Sequence, residues 1–470
     1  MNKYMLYDVK DKVPFGPNLL YALQQVLSVI VATMLLPMVA DPSGEVLSQS
    51  AALIGAGVGT LVYLALTGFK SPVFLGSSFS YVAPITSAIA FGYMGVFLGT
   101  LFAGLVYVIL SIVIRFVGTE WLNKIMPPIV IGPVVALIGF SLAGNAISNV
   151  MNTSSGAENY NLLAIFIGLI TFFVVILIST KSKKLKMYPF IIGILVGYAV
   201  ASIFTLIGIW TNVEYLQIVD FSIFKKIVDF NNWMPNFTFV GIIKEGFSKI
   251  TSFGDILTIM AAFVPISLVS FAEHIADHKN ISSIIGHDLI KDPGLKRTLL
   301  GDGLGSITGA LIGGCPNTTY GESIGCLALS KNASTRTIMT ASIMCILIAF
   351  CYPIVVFVES IPACVIGGIC IALYGFISVS GLRMFGDIDL NESKNLFVVA
   401  SIFICGIGGL VLSFGQIQVH GIACALIVGI LTNLILKDKK KSPKISQESE
   451  LLETKETITK DEEKVIKEDE

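Results

Sequence analysis

The 470-residue chain is 54% hydrophobic and only 13% charged, with a mean hydropathy of +0.81 and a net charge of −1. Soluble domains carry about a quarter of their residues as Asp, Glu, Lys and Arg, so a water-soluble fold of this size is excluded. The near-neutral balance points to no nucleic-acid partner. Nine Lys and eleven Asp or Glu lie between Lys437 and Glu470. That stretch cannot bury enough apolar surface to fold, so 437–470 is expected to be a disordered cytoplasmic tail.

Residues 1–15 are polar and charged, which argues against a cleavable signal peptide, and the first apolar run, 18–40, is long enough to span a bilayer. Similar runs follow near 49–68, 73–92, 95–117, 127–148, 161–180 and 188–210. After a mixed connection they resume near 254–276, 299–314, 317–330, 336–358, 362–384, 395–414 and 417–436. Fourteen transmembrane segments are therefore expected. Lys70, Arg115, Lys124, residues 181–186 and 279–297, Lys331 and Arg383 fall at or after even-numbered spans. The positive-inside rule then places both termini in the cytoplasm. Two halves of seven spans each must be inserted with opposite orientation, which is an inverted repeat. Gly55 and Gly59 in the second span and Gly301, Gly305, Gly309 and Gly313 in the ninth form ladders of small residues suited to close helix approach. The eight Cys lie between Cys315 and Cys424 with no CxxC and read as small buried hydrophobes in a reduced setting.

Two polar strips break the apolar text: Gly76-Ser77-Ser78-Phe79-Ser80 in the third span and Pro316-Asn317-Thr318-Thr319-Tyr320-Gly321-Glu322-Ser323 in the tenth. Irregular backbone survives in a bilayer only where protein or a water-filled cavity satisfies it. Paired breaks in matching places of two halves point to a transporter's substrate site. Acids accompany them. Glu273 and Asp277, in Phe271-Ala272-Glu273-His274-Ile275-Ala276-Asp277-His278, share one helix face, and Glu322 follows the second strip. A carboxylate at membrane depth costs at least about 2.5 kcal/mol and persists mainly for function. For Asp277, near the cytoplasmic end, an acid that merely caps a neighbouring helix or hydrogen-bonds a hydroxyl is an equally good account. Asp255 and Asp302 lie at span ends, where solvation explains them. Carboxyls beside exposed backbone amides suit a flat, uncharged ring carrying N–H donors and carbonyl acceptors, and Phe79 and Tyr320 are placed to stack on its faces.

These residues also carry a resemblance. Residues 316–325, Phe271 to Ile275 and Leu75 to Phe79 resemble the tenth-, eighth- and third-span signatures of the nucleobase-ascorbate transporter family, nearest its bacterial uracil permease branch. The chain departs from that pattern at Ser323, where the family usually has Asn, at Ser330, where it has Thr, and at Gln25 and Asp277, where uracil permeases often have His. The resemblance implies an all-α integral membrane fold of fourteen segments in two inverted seven-segment repeats, with short antiparallel β-strands in segments 3 and 10. It also implies a core domain (1–118 and 251–358) and a gate domain (119–250 and 359–436), together with proton-coupled uptake by a homodimer in the cell membrane. By position it implies that Glu273 and Glu322 bind the base through side chains, and Phe79 and Gly321 through backbone groups. Ser78 and Tyr320 complete the expected substrate-binding set, and Glu273 and Asp277 are expected to couple the proton. Uracil is the expected substrate, with xanthine or another purine base, or an anion, as alternatives.

No enzymatic activity, cofactor or metal is expected. His274, Asp277 and His278 have the spacing of a histidine box, but a membrane di-iron enzyme needs several boxes and the chain has four His in all. An anion transporter would call for a cation at the site, and neither strip contains Lys or Arg.

Overall fold

A computed structural model describes residues 5–118, 121, 125–151, 160–182, 185, 188–228, 233, 238, 240, 246–386, 388–414 and 417–436. The predicted tail 437–470 and Lys124 lie outside them. Helices α1 (Phe15–Ala40) and α2 (Gln49–Leu66) lead into strand β1 (Leu75–Ser77) and the short helix α3 (Val82–Ala88), and α4 (Gly92–Val117) follows. Next come α5 (Pro128–Met151), α6 (Leu162–Lys181), α7 (Pro189–Thr211), α8 (Phe253–Ile285) and α9 (Leu295–Leu311). Strand β2 (Asn317–Thr319) and α10 (Gly321–Ser330) precede α11 (Thr335–Ala349), α12 (Tyr352–Glu359) and α13 (Ala363–Met384). The described chain closes with α14 (Ser393–Ile407), the hairpin strands β3 (Val411–Phe414) and β4 (Ile417–His420), and α15 (Gly421–Ile435).

Eight of the described helices are long and apolar enough to cross a membrane, or nine if α11 and α12, bent by 77°, count as one span. The remaining apolar runs are shorter than their text suggests. Helices α14 and α15 have 15 residues each, about 22 Å of rise against a hydrocarbon core of about 30 Å. The residues between them, expected to finish one span and start the next, form the β3–β4 hairpin. Helix α8 is longer than expected, with 33 residues. Ser252 and Asp255 start it as a capping box, the Asp255 carboxylate accepting from the Ser252 N–H at 2.9 Å.

The helices pack in two groups. In the first, α2 lies between α9 and α11, α4 packs on α8 and α9, and α1 covers α2 and α11. In the second, α5 lies along α13, α6 packs on α13 and α7, and α14 sits between α5 and α15. The α2–α9 seam is set by glycine. A Cβ on Gly59 would lie 2.7 Å from the Gly305 carbonyl oxygen, and one on Gly55 3.0 Å from that of Gly309. Backbones this close leave no room for side chains, which is the packing use expected of the two ladders.

One end of the first group gathers the basic turns. Leu6 N donates to the Lys331 carbonyl at 2.8 Å and Ala333 N to that of Tyr7 at 2.9 Å. Lys70, after α2, pairs with Asp292, between α8 and α9, at 2.7 Å. The chain's N-terminal segment and three turns following α2, α8 and α10 thus share a face.

Candidate functional site

The two polar strips meet. Strands β1 and β2 pair antiparallel, Leu75 opposite Thr319, Gly76 opposite Thr318 and Ser77 opposite Asn317, and all six residues are buried. Two strands of three residues leave many backbone groups unpaired, and neighbouring side chains take several of them. Thr60 Oγ1 accepts from Leu75 N and Ser306 Oγ accepts from Asn317 N, both at 2.9 Å, while the side chain of Asn317 itself reaches α2, its Nδ2 donating to the Gly55 carbonyl at 3.0 Å. Each strand then turns into a helix. Ser78 precedes a 3-10 turn, Phe79–Tyr81, that runs into α3. Tyr320 is the extended N-cap of α10 and makes no side-chain cap hydrogen bond, so the leading N–H groups of α10 have no intrahelical acceptor.

A cavity of about 400 Å³ opens beside this crossing, between the two helix groups. One wall is polar. Ser78, Phe79, Tyr320, Gly321 and Glu322 from the strips, and Glu273 and Asp277 from α8, all line it. The six residues of the expected substrate-binding set, with Asp277, thus line one cavity. Ser80 Oγ donates to Glu273 Oε2 at 3.2 Å, and Thr319 Oγ1 donates to Asp277 Oδ2 at 2.6 Å. Asp277 faces the cavity from inside α8, eight residues before that helix ends, and its bond to the Thr319 hydroxyl is the one the simpler structural account expects. The Tyr320 ring lies against the backbone of β1: a Cβ on Gly76 would meet it at 2.6 Å. The Phe79 ring packs edge-on against Tyr374 of α13, centroids 5.8 Å apart.

The opposite wall is apolar and comes from the second helix group. Val135 of α5, Phe190 of α7, and Leu373, Phe376, Ile377 and Met384 of α13 form it, with Ser380 its one polar lining side chain among the described residues. No local sequence signal marks this wall. Its residues are ordinary membrane-helix residues, and only the packing of α5, α7 and α13 turns them toward the strips. Among the described residues no Lys or Arg lines the cavity.

Behind α8 the structure corrects one expectation. Asp302 is not solvated at a span end: it is 1% exposed, seven residues into α9, and its Oδ2 lies 2.7 Å from His274 Nδ1. Helix α9 begins at Leu295, earlier than its apolar text, and so carries Asp302 into the bundle. The signal available in the sequence was a complementary acid and imidazole in two apolar segments. His274 Nε2 lies 3.0 Å from Thr298 Oγ1, and His278 bonds the His274 carbonyl through Nδ1 and Tyr63 OH through Nε2, both at 2.7 Å. Both imidazoles are thus engaged by protein partners, and among the described residues no group of His, Cys, Asp and Glu is arranged to hold a metal. Gln25 of α1, one of the four departures from the motif pattern, bonds another, Ser323.

Comparison with known proteins places the chain in a family. The model of the Permease family, Xan_ur_permease, matches residues 16–414. The chain belongs to that family. It is a transporter and not an enzyme. The uracil permease of Bacillus caldolyticus is 35% identical to it, over 94% of this permease and 97% of its own length. That of Bacillus subtilis (strain 168) is 35% identical over 90% and 93%, and that of Escherichia coli (strain K12) 31% identical over 91% and 93%. Among solved structures, the transmembrane domain of the cyanobacterial bicarbonate transporter BicA superposes with a TM-score of 0.61 at 13% identity, covering 91% of the permease and 100% of that chain. Murine Slc26a9, an anion transporter captured inward-facing, superposes with a TM-score of 0.62 at 12% identity, covering 91% and 69%. At such identities the likeness is one of fold alone; the permease relatives and the eight long apolar helices among the described residues make this a multi-pass membrane protein.

Proposed function

We propose that this permease carries uracil, or a closely related nucleobase, into the cell in symport with protons, by alternating access. The observation that carries the reading is the cavity itself: two carboxyl side chains, Glu273 and Glu322, face one 400 Å³ space beside the unpaired start of α10 and opposite an apolar wall. A neutral heterocycle matches that division. Its ring N–H groups donate to the carboxylates, its carbonyls accept from backbone N–H groups near Phe79 and Gly321, and its faces contact Phe79 and Tyr320. The names of the 31–35% identical relatives favour uracil.

In this mechanism the α1–α4 and α8–α11 group forms a core that carries the base past a gate of α5–α7 and α13–α15, within fourteen segments arranged as an inverted repeat. The cavity reaches Phe190, in the first turn of α7, and Met384, at the end of α13 beside Arg383. Those ends adjoin basic turns, which supports an inward-facing state with both termini in the cytoplasm of a plasma-membrane protein. The proton rides on Glu273, with Asp277 passing it toward the cytoplasmic side. A homodimer in the lipid bilayer is part of the same reading. The test is uptake of radiolabelled uracil into proteoliposomes with an imposed pH gradient and competing bases. Inhibition by uracil supports the reading, preference for xanthine moves the substrate to a purine, and inhibition by bicarbonate or sulfate alone overturns it. The absence of Lys and Arg from the described cavity lining speaks against the anion alternative.

A further inference from the structure

We infer that Gln25 is a positioning residue for substrate binding, clamping the first turn of α10 so that Gly321 and Glu322 meet the cavity at a set angle. The inference deepens the function proposed above and rests on it for its substrate. Gln25 is 2% exposed and Ser323 1% exposed. The two are 298 positions apart, yet they are joined twice: Ser323 Oγ donates to Gln25 Oε1 at 3.0 Å, and Gln25 Nε2 donates to the Ser323 carbonyl at 3.3 Å. A primary amide suits this because it offers a donor and an acceptor side by side. Neither group of the amide is spent on its own helix.

Where the clamp closes is what makes it more than a satisfied core glutamine. Helix α10 has ten residues, begins without a side-chain cap and packs chiefly on α1 and α8. A helix that short has little stiffness of its own. Ser323 follows Glu322 directly, and consecutive helical residues are about 100° apart around the axis. Fixing the direction of Ser323 toward α1 therefore fixes that of Glu322 toward the cavity. Helix α1 belongs to the same packed group as α2 and α11, so the clamp refers the angle of Glu322 to the body that carries β1 and β2.

The experiment uses the full-length permease in proteoliposomes with four variants: Gln25→Met, which keeps length and packing but cannot hydrogen-bond; Ser323→Ala; the double variant; and Ser323→Thr, which keeps the hydroxyl. Loss of the paired bonds should raise the uptake KM and the Kd for uracil about tenfold while Vmax stays within about twofold. The double variant should equal either single one, since both remove the same interaction, and Ser323→Thr should retain the unaltered KM. Hydrogen exchange should quicken at the start of α10 in Gln25→Met and not in α2 or α9. Additive single effects, an unchanged KM with lowered Vmax, or unchanged exchange at α10 would overturn the clamp. If the unaltered protein binds no nucleobase, the proposed function fails, and the exchange measurement still decides the clamp by itself.

Discussion

Replacing Glu273 by Gln separates binding from coupling. The glutamine keeps the volume of the side chain, and its amide oxygen can still accept from Ser80 Oγ, now 3.2 Å from Glu273 Oε2. What it loses is the charge and the capacity to hold a proton. A hydrogen bond to a charged group contributes about 1.5–3 kcal/mol, so uracil affinity should fall by about 10- to 150-fold. Coupling should fall further. A proton moving down 100 mV supplies about 2.3 kcal/mol and one pH unit adds about 1.4 kcal/mol, together enough for about 500-fold accumulation by a one-proton symporter. The variant should fill vesicles only to the external concentration, while still exchanging labelled for unlabelled uracil at saturating substrate. The assay is uptake under an imposed pH gradient and membrane potential, followed by counterflow without either. Accumulation by Glu273→Gln well above the external concentration would refute the assignment of the coupled proton to this carboxyl.

Three more perturbations probe the scaffold around the site. Gly59→Val places a side chain where even an added Cβ would lie 2.7 Å from the Gly305 carbonyl; overpacking of this kind costs about 1–3 kcal/mol, and a lowered melting temperature in detergent should show it. Gly76→Ala adds a Cβ that would lie 2.6 Å from the Tyr320 ring, so it pushes the ring off β1 and should raise the KM for uracil several-fold while protein yield holds; an unchanged KM would remove Tyr320 from the binding face. Lys70 hydrogen-bonds Asp292 and holds its carboxyl below the ordinary value. The folded pKa being depressed, that pairing stabilises the protein above the usual carboxylate range and is lost as pH falls through the folded value. Lys70→Met should therefore flatten the acid side of the melting curve between about pH 5 and 2, with the difference shrinking at high salt.

Much of this was legible from sequence because membranes constrain it so tightly. Apolar runs marked the chain as membrane-spanning, although eight or nine spans among the described helices stand against the fourteen expected, and broken runs with acids nearby pointed to the cavity, since neither stray polar backbone nor a stray carboxylate is tolerated in hydrocarbon without cause. Glu273, Glu322, Asp277, Phe79 and Tyr320 all line that cavity. The glycine ladders likewise announced the α2–α9 seam. Helix ends were less legible. The helix of Asp302 begins before its apolar run because Lys296 and Arg297 lie inside the first turns of α9, and hydropathy cannot see a helix that continues into charged text. The β3–β4 hairpin escaped for the opposite reason: its residues are apolar enough to read as the end of one span and the beginning of another.

What the sequence by itself determined is a membrane transporter with acids and frayed backbone at two matching breaks, because those costs are local and each residue carries its own. Only the tertiary structure decided that β1 and β2 pair with each other, that Val135, Phe190 and α13 close the far wall, and that Gln25 reaches Ser323. These are contacts between segments up to 298 residues apart, and nothing in the periodicity of one helix specifies which face of another it will meet.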